Sequence, residues 1–360
     1  MNPAPAETIT LTCEATDADG DELSYAWRAN GLPFGADAAQ VQWQAPASSG
    51  LVTVSVTVSD GIDTASRSLP IQVGQNEFAL LTGVTDPSFP AWNVDWLKEP
   101  TYVYNHQAQL FIVDLRSSLA YANGHITGAR NTSVANLAAY VAANNSGGDE
   151  IALVCDTGQI AAFAAMGLRM LGHDAFCMKW GMAGWNDLLA GPWDSGISNQ
   201  YANIMSNSAS PNLPVNNWPT LATGLSSGQA ILQARVAAIF AEGFGNNVIN
   251  AYEVMDSPGT YHIHNYWVTQ DYEDVGHIAG SYQLTPGAVT TATALSALHP
   301  TQINVLYCWT GHTSAFVGFY LNVLGYDLLS MRFGANALMH DDLPRERWVH
   351  QGHNFPTVTN

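Results

Sequence analysis

The sequence predicts a multidomain protein in which an N-terminal all-β domain precedes two α/β domains with central parallel sheets. Three observations predict this fold class. Residues 7–74 contain segments of alternating apolar and polar residues, which are typical of antiparallel strands. From about residue 101 onward, short apolar runs of strand length alternate with runs of helical periodicity. The second α/β region also repeats motifs of the first, which indicates an internal duplication.

Charge and hydropathy exclude several classes of function. The 360 residues include 11 Lys and Arg against 30 Asp and Glu, which gives a net charge of −19. This charge argues against nucleic acid and anionic membranes as partners. No apolar run approaches the length of a transmembrane helix, and the N-terminal residues lack the apolar core of a signal peptide. We therefore expect no transmembrane segment.

The N-terminal domain is predicted over residues 1–74. Its strands alternate in Thr8–Cys13 and in Leu51–Ser59, and an acidic turn leads into the Leu-Ser-Tyr-Ala-Trp strand that ends at Trp27. These motifs resemble the PKD and cadherin-like modules of the immunoglobulin type. The resemblance implies an immunoglobulin-like sandwich that serves as a spacer or adhesive unit. It also implies a periplasmic or extracellular protein, whose targeting signal is absent from this sequence.

The acidic turn contains weak candidates for a Ca²⁺ site, namely Asp17, Asp19 and Asp21. Carboxylates are suitable Ca²⁺ ligands, but these three lack the twelve-residue spacing and distal Glu of an EF-hand loop. A solvated turn is the alternative, because Asp and Gly are ordinary turn formers.

Composition and periodicity divide the rest of the chain into five segments. A proline-rich connector with Pro87, Pro90 and Trp92 precedes the first α/β domain, and an Asn-, Ser- and Pro-rich linker precedes the second. The predicted order is a connector at 75–100, a domain at 101–192, a linker at 193–225, a domain at 226–345 and a tail at 346–360.

The duplication aligns two cysteines. Gly276–Gly280 matches Gly124–Gly128 at a spacing of 276 − 124 = 152, and Cys308 follows Cys155 at 308 − 155 = 153. Each cysteine stands after a strand-like apolar run and before a helical one. A thiol at a helix start lies near unpaired backbone N–H groups and the positive end of the helix dipole, which favours a thiolate. Cys13 and Cys177, in contrast, are predicted to be small buried hydrophobes.

Three motifs together resemble the rhodanese (sulfurtransferase) family over about residues 100–345. They are the strand Val113-Asp-Leu-Arg116, the Gly-His-Ile loops and the strand-ending cysteine with Gly three residues on. The resemblance implies two rhodanese-like domains, each with a six-residue loop whose backbone N–H groups surround the sulfur. These loops are Cys155, Asp156, Thr157, Gly158, Gln159 and Ile160, and Cys308, Trp309, Thr310, Gly311, His312 and Thr313. Structural support is expected from Asp114, Arg116, His125 and His277.

The resemblance implies transfer of sulfane sulfur through a cysteine persulfide on Cys155, Cys308 or both. The donor is then a thiosulfate-like compound or a persulfide, the acceptor is a thiol or cyanide-like nucleophile, and no cofactor is required. This chemistry requires an opening to solvent above the sulfur. The alternative is a catalytically weak binding or scaffold protein at the cell surface, which docks a protein partner and serves a redox or electron-transfer assembly.

The loops depart from the family pattern in charge. Neither contains Arg or Lys, Asp156 stands next to the first thiol, and His312 adds positive charge only when it is protonated. Tyr266-Trp267-Val268 is predicted at the place of the Asp114/Arg116 pair in the second half. Lys179 and Arg332 stand at matching places after the following strand, either near the loops or as solvated strand ends.

Overall fold

The computed structural model describes residues 3, 5–48, 50–74, 76–86 and 94–359. Pro87, Pro90 and Trp92 of the predicted connector lie outside the described residues. The chain divides into two compact units. The first, called the β unit, comprises residues 1–81 and 220–231, and the second, called the α/β unit, comprises residues 82–219 and 232–360. No described helix is both long enough and apolar enough to cross a membrane.

The β unit consists of two antiparallel sheets with strand orders β1-β4 and β3-β2-β5-β6. Alternation explains the arrangement, because every second residue of Gln40–Gln44 and of the first part of Gly50–Ser59 is buried in a shared core that includes Trp27, Trp43 and Val54. The strands are β1 (Thr8–Thr12), β2 (Ser24–Ala29), β3 (Leu32–Pro33), β4 (Gln40–Gln44), β5 (Gly50–Ser59) and β6 (Thr64–Val73).

The carboxylate of Glu77 binds the segment 220–231, which is distant in sequence, within the β unit. Glu77, at the start of α1 (Glu77–Thr85), is only 3% exposed. Its Oε2 accepts hydrogen bonds from the backbone N–H and the hydroxyl of Thr223, both at 2.7 Å, and its Oε1 accepts one from the N–H of Gly224 at 2.8 Å. These three donors compensate for the burial of the charge.

The first parallel sheet of the α/β unit has the order β7-β11-β10-β8-β9. Its central strands are buried on both faces, as their continuous apolar runs predict. The strands are β7 (Leu97–Lys98), β8 (Phe111–Asp114), β9 (Arg130–Asn131), β10 (Ile151–Val154) and β11 (Ala175–Met178). The helices are α2 (Pro100–His106), α3 (Ser118–Asn123), α4 (Leu137–Asn144), α5 (Gln159–Met170), α6 (Gly181–Trp185) and α7 (Gly191–Asp194).

The second parallel sheet has the equivalent order, β12-β16-β15-β13-β14. The repeated sequence motifs therefore occupy repeated positions in the two sheets. The strands are β12 (Val248–Ile249), β13 (His262–Asn265), β14 (Tyr282–Gln283), β15 (Asn304–Tyr307) and β16 (Leu328–Met331). The helices are α8 (Gly228–Glu242), α9 (Ala251–Asp256), α10 (Thr269–Val275), α11 (His312–Val323) and α12 (Asn336–Met339).

Helices α5 and α11 pack directly against each other in the α/β unit. Phe163 and Phe319 meet with ring centroids 4.7 Å apart, and both are almost completely buried. Gly167 permits this close approach, because a Cβ there would lie 2.4 Å from Phe240 Cζ and 2.5 Å from Phe319 Cζ. Since each helix begins within a predicted cysteine loop, the packing brings the two loops together.

Segments predicted as linker and tail pack along the parallel sheets. Tyr201 donates its backbone N–H to Leu338 O at 3.1 Å, and Ser206 pairs with His277. Near the C-terminus, Val358 forms an isolated antiparallel β-bridge with His125 of the first half. The predicted linker at 193–225 is divided at residue 220, since its earlier part belongs to the α/β unit and its later part to the β unit.

Candidate active site

The first cysteine loop connects β10 to α5 at the carboxyl edge of the first sheet. Gly158, at φ = 87°, takes a backbone conformation that side chains disfavour, and its N–H points at Cys155 Sγ at 3.1 Å. Burial raises the pKa of the Cys155 thiol to about 11, and the charge of Asp156 adds to this effect. Hydrogen bonds from backbone N–H groups of the loop and of Ala161 oppose the rise but do not cancel it.

The second cysteine loop connects β15 to α11 with the same geometry. Gly311 has φ = 82°, and its N–H lies 3.2 Å from Cys308 Sγ. The backbone N–H of Ser314 adds a second donor at 3.4 Å, and the Cys308 thiol donates to Ser314 Oγ at 3.6 Å. Ser314 Oγ in turn lies 2.8 Å from Ser330 Oγ. Two backbone N–H groups and one hydroxyl therefore contact the sulfur at the start of α11.

The two sulfurs do not open to solvent as the sequence analysis requires. Cys155 is 0% exposed and Cys308 is 2% exposed. The loops themselves are partly accessible, because some of their side chains are only half-buried: Asp156, Thr157, Ile160, Trp309 and Thr313. Access to either sulfur from solvent therefore requires covering side chains to move.

The residues behind each loop also repeat between the halves. Trp180 and Phe333 have φ of 64° and 61°, which is strained for aromatic residues. Each is followed by a glycine in contact with the loop. A Cβ on Gly181 would lie 2.3 Å from the carbonyl oxygen of Cys155, and one on Gly334 would lie 2.3 Å from that of Cys308. These glycines are required for the backbone to pass this close to the cysteine.

The two loops are joined by reciprocal hydrogen bonds. His312 Nε2 lies 3.0 Å from the carbonyl oxygen of Thr157, and Gln159 Nε2 donates to that of Thr310 at 3.3 Å. Gln159 and His312 occupy equivalent positions, and so do Thr157 and Thr310. His312 also covers Gly158, where a Cβ would lie 2.3 Å from its Nε2. One side chain of each loop therefore covers part of the opposite loop.

Neither loop receives a positive charge from its own side chains. Burial lowers the pKa of His312 to about 3, with the charge of Lys179 adding to the effect, so that this imidazole stays neutral at physiological pH. Lys179 forms ion pairs with Glu99 and Glu346, because its Nζ lies 3.1 Å from a carboxylate oxygen of each. Burial also raises the pKa of the Asp156 carboxyl, although Arg116 opposes the rise.

Asp114 and Arg116 form a buried ion pair at the end of β8. Arg116 Nη2 lies 2.7 Å from Asp114 Oδ2 and donates to the carbonyl oxygen of Gly124 at 2.6 Å. His125 follows, with Nδ1 2.9 Å from Tyr121 O and its ring stacked on Tyr121. The Asp114–Arg116 ion pair therefore holds the start of the Gly-His-Ile loop at the end of β8.

The second half lacks this ion pair, and its equivalent positions differ from those predicted. Asn265 pairs with Tyr307 in the sheet as Asp114 pairs with Val154, so Asn265 rather than Tyr266 occupies the place of Asp114. Trp267 then stands at the place of Arg116. The spacing of equivalent residues is therefore 265 − 114 = 151 in β13 and 276 − 124 = 152 at the Gly-His-Ile loop, so the second half has one additional residue between these two places. His277 stacks on Tyr272 as His125 stacks on Tyr121.

The acidic turn of the β unit is closed by its own hydrogen bonds. Asp17 Oδ1 accepts the N–H groups of Asp19, Gly20 and Asp21 at 2.8–3.1 Å. Within the described ranges, no group of three or more His, Cys, Asp or Glu residues has a geometry that fits a metal ion.

Sequence reasoning missed several residues that contact the loops. Cys177 is buried as predicted, but its thiol also donates to Gly158 O at 3.0 Å. Cys13, predicted to be buried, is only partly so, because it lies just beyond the end of β1. Ser314 contacts Cys308 Sγ, and Ser330 contacts Ser314. The only sequence signal for these two serines is that the first half has Ala161 and Cys177 at the equivalent positions.

Comparison with known protein families identifies the first half of the α/β unit. Residues 93–188 match the family described as "Rhodanese-like domain". The chain contains a rhodanese-like domain. Its cysteine, Cys155, lies in the strand-to-helix loop described above. No curated protein matches the chain in sequence.

Several solved structures resemble parts of the chain. A rhodanese-related protein from Thermoplasma volcanium is 19% identical, covers 24% of this chain and 87% of its own, and has a TM-score of 0.23. A thiosulfate sulfurtransferase from Pseudomonas aeruginosa is 13% identical, with coverages of 80% and 50% and a TM-score of 0.27. A probable thiosulfate sulfurtransferase is 17% identical, with coverages of 65% and 96% and a TM-score of 0.27.

Proposed function

We propose that the protein is a rhodanese-type sulfurtransferase whose reactive thiol is Cys308. The observation that carries this proposal is the set of polar groups around Cys308 Sγ, with two backbone N–H donors and Ser314 Oγ within 3.6 Å. In this proposal, residues 226–345 form a second rhodanese-like domain in tandem with the first. The equivalent strand order of the two sheets supports this duplication.

The proposed reaction has two displacement steps. The Cys308 thiolate attacks the outer sulfur of a donor of the type R–S–S⁻, a bond forms between the two sulfurs, and R–S⁻ leaves with the electron pair of the broken bond. An acceptor thiolate or cyanide then attacks the terminal sulfur of the persulfide and releases the Cys308 thiolate. The N–H groups of Gly311 and Ser314 stabilise the sulfur anion in both steps.

Three differences between the halves favour Cys308 over Cys155. Cys308 is slightly exposed whereas Cys155 is not. The residue after Cys308 is Trp309, whereas Asp156 follows Cys155 and opposes both an anionic donor and a thiolate. Finally, Ser314 supplies a hydroxyl that the first half lacks. We therefore assign a supporting role to the first domain, whose Gln159 bonds to the second loop.

The covering side chains set a condition on this function. Trp309 stacks on Trp267 with ring centroids 4.0 Å apart, next to the reactive sulfur. A donor can reach Cys308 once such covering groups shift. Thiosulfate is a compact dianion, whereas a persulfide has a single negative charge at its reacting end, so the lack of a cation within the loop disfavours thiosulfate more than a persulfide as the sulfur donor.

The β unit supports a location outside the cytoplasm within this proposal. Its two antiparallel sheets around one core are compatible with a PKD-like or other immunoglobulin-like module. Such a module would place the sulfurtransferase in the periplasm or outside the cell.

A second candidate function is a binding or scaffold protein that retains the rhodanese fold. The observation that favours it is the burial of both sulfurs beneath mutually bonded loops. In that case neither thiol is loaded with sulfur, and the surface around the loops serves a protein partner.

Mass spectrometry after exposure to donors separates the two candidates. We would use a Cys13→Ser protein, because Cys13 is partly exposed and sulfur loaded on it would obscure the loading of Cys155 and Cys308. After treatment with glutathione persulfide, we expect the Cys308 peptide to gain the mass of one sulfur atom and cyanide to release that sulfur as thiocyanate. Thiosulfate should load it more slowly.

Matched serine variants complete this experiment. Cys308→Ser should abolish loading, and Cys155→Ser should leave most of it, with circular dichroism verifying the fold of both. Loading of Cys155 alone would overturn the assignment of Cys308. Failure of both donors to load either thiol would eliminate the enzyme and leave the scaffold function.

A further inference from the structure

A groove of about 360 Å³ opens in the β unit, between the segment that follows β1 and the hairpin of β5 and β6. Its apolar floor includes Val56 and Val58 of β5 together with Leu23. Residues 13–17 form one wall, and residues 63–67 at the start of β6 form the other. The groove therefore lies between the two sheets, at an end where they do not cover each other.

The core-facing side of β6 is covered at one end and exposed at the other. Directly opposed residues of an antiparallel pair share a face of the sheet, so Leu69 lies on the same side as the buried Val54. Ile71, two residues further on this side, is 3% exposed, whereas Leu69 is 59% exposed. Ala65 and Arg67 on the same side are exposed as well. The small β1-β4 sheet is therefore too narrow to cover this part of β6.

The strand β1 has a free edge. Among the residues that the structure describes, β1 pairs with β4 and with no other strand. Cys13 donates its backbone N–H to Ala39 O on the β4 side, so the odd-numbered residues of β1 turn their backbone groups toward β4. The even-numbered residues present their N–H and C=O groups on the free edge: Thr8, Thr10 and Thr12. Such an edge can accept a further strand.

The free edge of β1 lies on the side of β6. β4 lies toward the opposite side of the larger sheet, because Trp43 contacts Phe34, just after β3, with ring centroids 6.3 Å apart. On the other side, the chain before β1 reaches the covered end of β6, since Pro3 O accepts the N–H of Gly74 at 2.7 Å. A strand added beside β1 therefore lies over the exposed Leu69.

The charge of the groove indicates what kind of strand fits. Its lining includes four acidic residues and one basic residue: Glu14, Asp17, Asp60, Asp63 and Arg67. Hydrogen bonds from the backbone N–H groups of Asp63 and Ile62 lower the pKa of the Asp60 carboxyl, so this group stays charged. A second copy of this chain, with a net charge of −19, is an unfavourable occupant.

We propose that β1 and this groove bind an extended, basic segment of a partner protein, which becomes a third strand of the small sheet. Its backbone bonds to the free edge, and its alternate apolar side chains cover Leu69. In the antiparallel orientation, the more stable one, its N-terminal end lies beyond Thr12. Basic residues at that end then lie beside the carboxylates of the groove. The inference does not depend on sulfur transfer by either cysteine.

Fluorescence anisotropy with the full chain tests this binding. The probe is the peptide Lys-Lys-Val-Thr-Val-Thr-Val with fluorescein at its C-terminus. We expect saturable binding that weakens as the salt concentration rises. Replacement of both lysines by glutamates should weaken binding at least tenfold, because the carboxylates of the groove then repel the peptide.

Methylation of the peptide backbone separates strand addition from nonspecific attraction. With its valines pointing inward, the peptide turns the N–H groups of its threonines toward β1 and those of its valines away. N-methylation of both threonines should therefore weaken binding at least tenfold. N-methylation of two valines should leave the Kd within about twofold. Equal effects of the two modifications would contradict pairing with β1.

Matched variants test the same edge on the protein. Thr10→Pro removes an N–H group that the pairing with β4 does not use, and it should weaken binding at least tenfold. Thr10→Ala is the control, because both variants lose the hydroxyl that Gln42 contacts and only the proline changes the edge. Leu69→Ser should weaken binding several-fold through the loss of buried apolar surface. Circular dichroism verifies the fold of each variant.

Alkylation of Cys13 locates the bound peptide. Cys13 lines the groove and is half-buried, whereas the other three cysteines are buried. Saturating peptide should slow the reaction of Cys13 with iodoacetamide at least tenfold, measured by peptide mass spectrometry.

Four outcomes would overturn the inference. They are equal binding of the lysine and glutamate peptides, equal binding by the Thr10→Pro and Thr10→Ala proteins, and an unchanged rate of Cys13 alkylation at saturating peptide. The fourth is a dimer in analytical sedimentation that Thr10→Pro abolishes, which would assign the edge to a second copy of the chain.

Discussion

At the scale of single residues, the side chains of Gln159 and His312 join the two cysteine loops. Each side chain reaches a carbonyl group of the opposite loop, at 3.3 and 3.0 Å respectively. His312 also lies over Gly158, whose N–H points at Cys155. The burial of Cys155 therefore depends on a residue that is distant in the sequence.

His312→Ala should expose Cys155. The variant loses the bond to Thr157 and the ring over Gly158, so we expect Cys155 to be alkylated by iodoacetamide several-fold faster, as the loss of about 1 kcal/mol predicts. His312→Gln, which copies Gln159, should remain closer to the wild type. Peptide mass spectrometry on a Cys13→Ser background measures the rates. Equal rates in the wild-type and alanine proteins would show that His312 does not cover this thiol.

Sequence reasoning reaches the cysteines but not their surroundings. The strand–Cys–turn–Gly pattern places Cys155 and Cys308 at helix starts because that pattern is local. The bonds of Gln159 and His312 join residues about 150 positions apart, and no local pattern encodes them. The sequence therefore predicts accessible thiols, whereas both cysteines are buried in the structure.

At the scale of elements, the packing of α5 against α11 positions both loops. The two helices begin at the loops and meet through Phe163, Phe319 and the surface left free by Gly167. Since these helices are buried along most of their length, a shift of one displaces the loop of the other.

Gly167→Ala should destabilise the protein although alanine favours helices. The new Cβ would lie 2.4 Å from Phe240 Cζ, within a closely packed interior. We expect a loss of about 1–3 kcal/mol in the free energy of unfolding, measured by urea denaturation. Gly83→Ala in α1 is the control, because nothing lies within 4 Å of its Cβ position and a small gain is expected. A Gly167→Ala protein as stable as the control would contradict close packing here.

The sequence predicts the elements better than their boundaries. The continuous apolar strands and the duplication indicate both parallel sheets. The Ala-rich sequence of residues 134–143 predicts one continuous helix, but the segment starts as a 3-10 helix at Val134–Asn136 and continues as α4. Residues 183–189 also read as one helix in the sequence, but α6 ends at Trp185 and a 3-10 turn spans Asp187–Leu189.

At the scale of the whole molecule, buried histidines connect stability to pH. Burial lowers the pKa of His264 from its ordinary 6.5 to about 4, against a hydrogen bond with Asn304 that raises it. The unfolded chain therefore binds more protons than the folded one between these values. The stabilisation from neutral His264 is fully present above pH 6.5 and is lost as the pH falls toward 4.

Stability should accordingly decrease between pH 7.5 and pH 5, measured by urea unfolding at each pH. His264→Gln should reduce this dependence, because its neutral side chain does not titrate. His106→Gln, at an exposed position, serves as the control and should leave the dependence unchanged. An equal pH dependence in the His264→Gln and wild-type proteins would exclude His264 as its source.

The organisation of the whole chain was the least accessible to sequence reasoning. Composition predicts two α/β domains with a linker between them, yet both parallel sheets belong to one compact unit. The two halves of this unit are joined by the packing of α5 against α11, and irregular segments pair with distant backbone, as Tyr201 does with Leu338 and Val358 with His125. These pairs involve irregular segments whose composition is typical of loops.

The buried carboxylate of Glu77 bears on how this protein can be dissected. Its three hydrogen-bond donors come from Thr223 and Gly224, more than a hundred positions further along the chain. A fragment cut at residue 81 would retain the acid and lose every one of those donors. The N-terminal module is therefore discontinuous along the polypeptide and cannot be excised by a single cut without leaving an uncompensated charge in its interior.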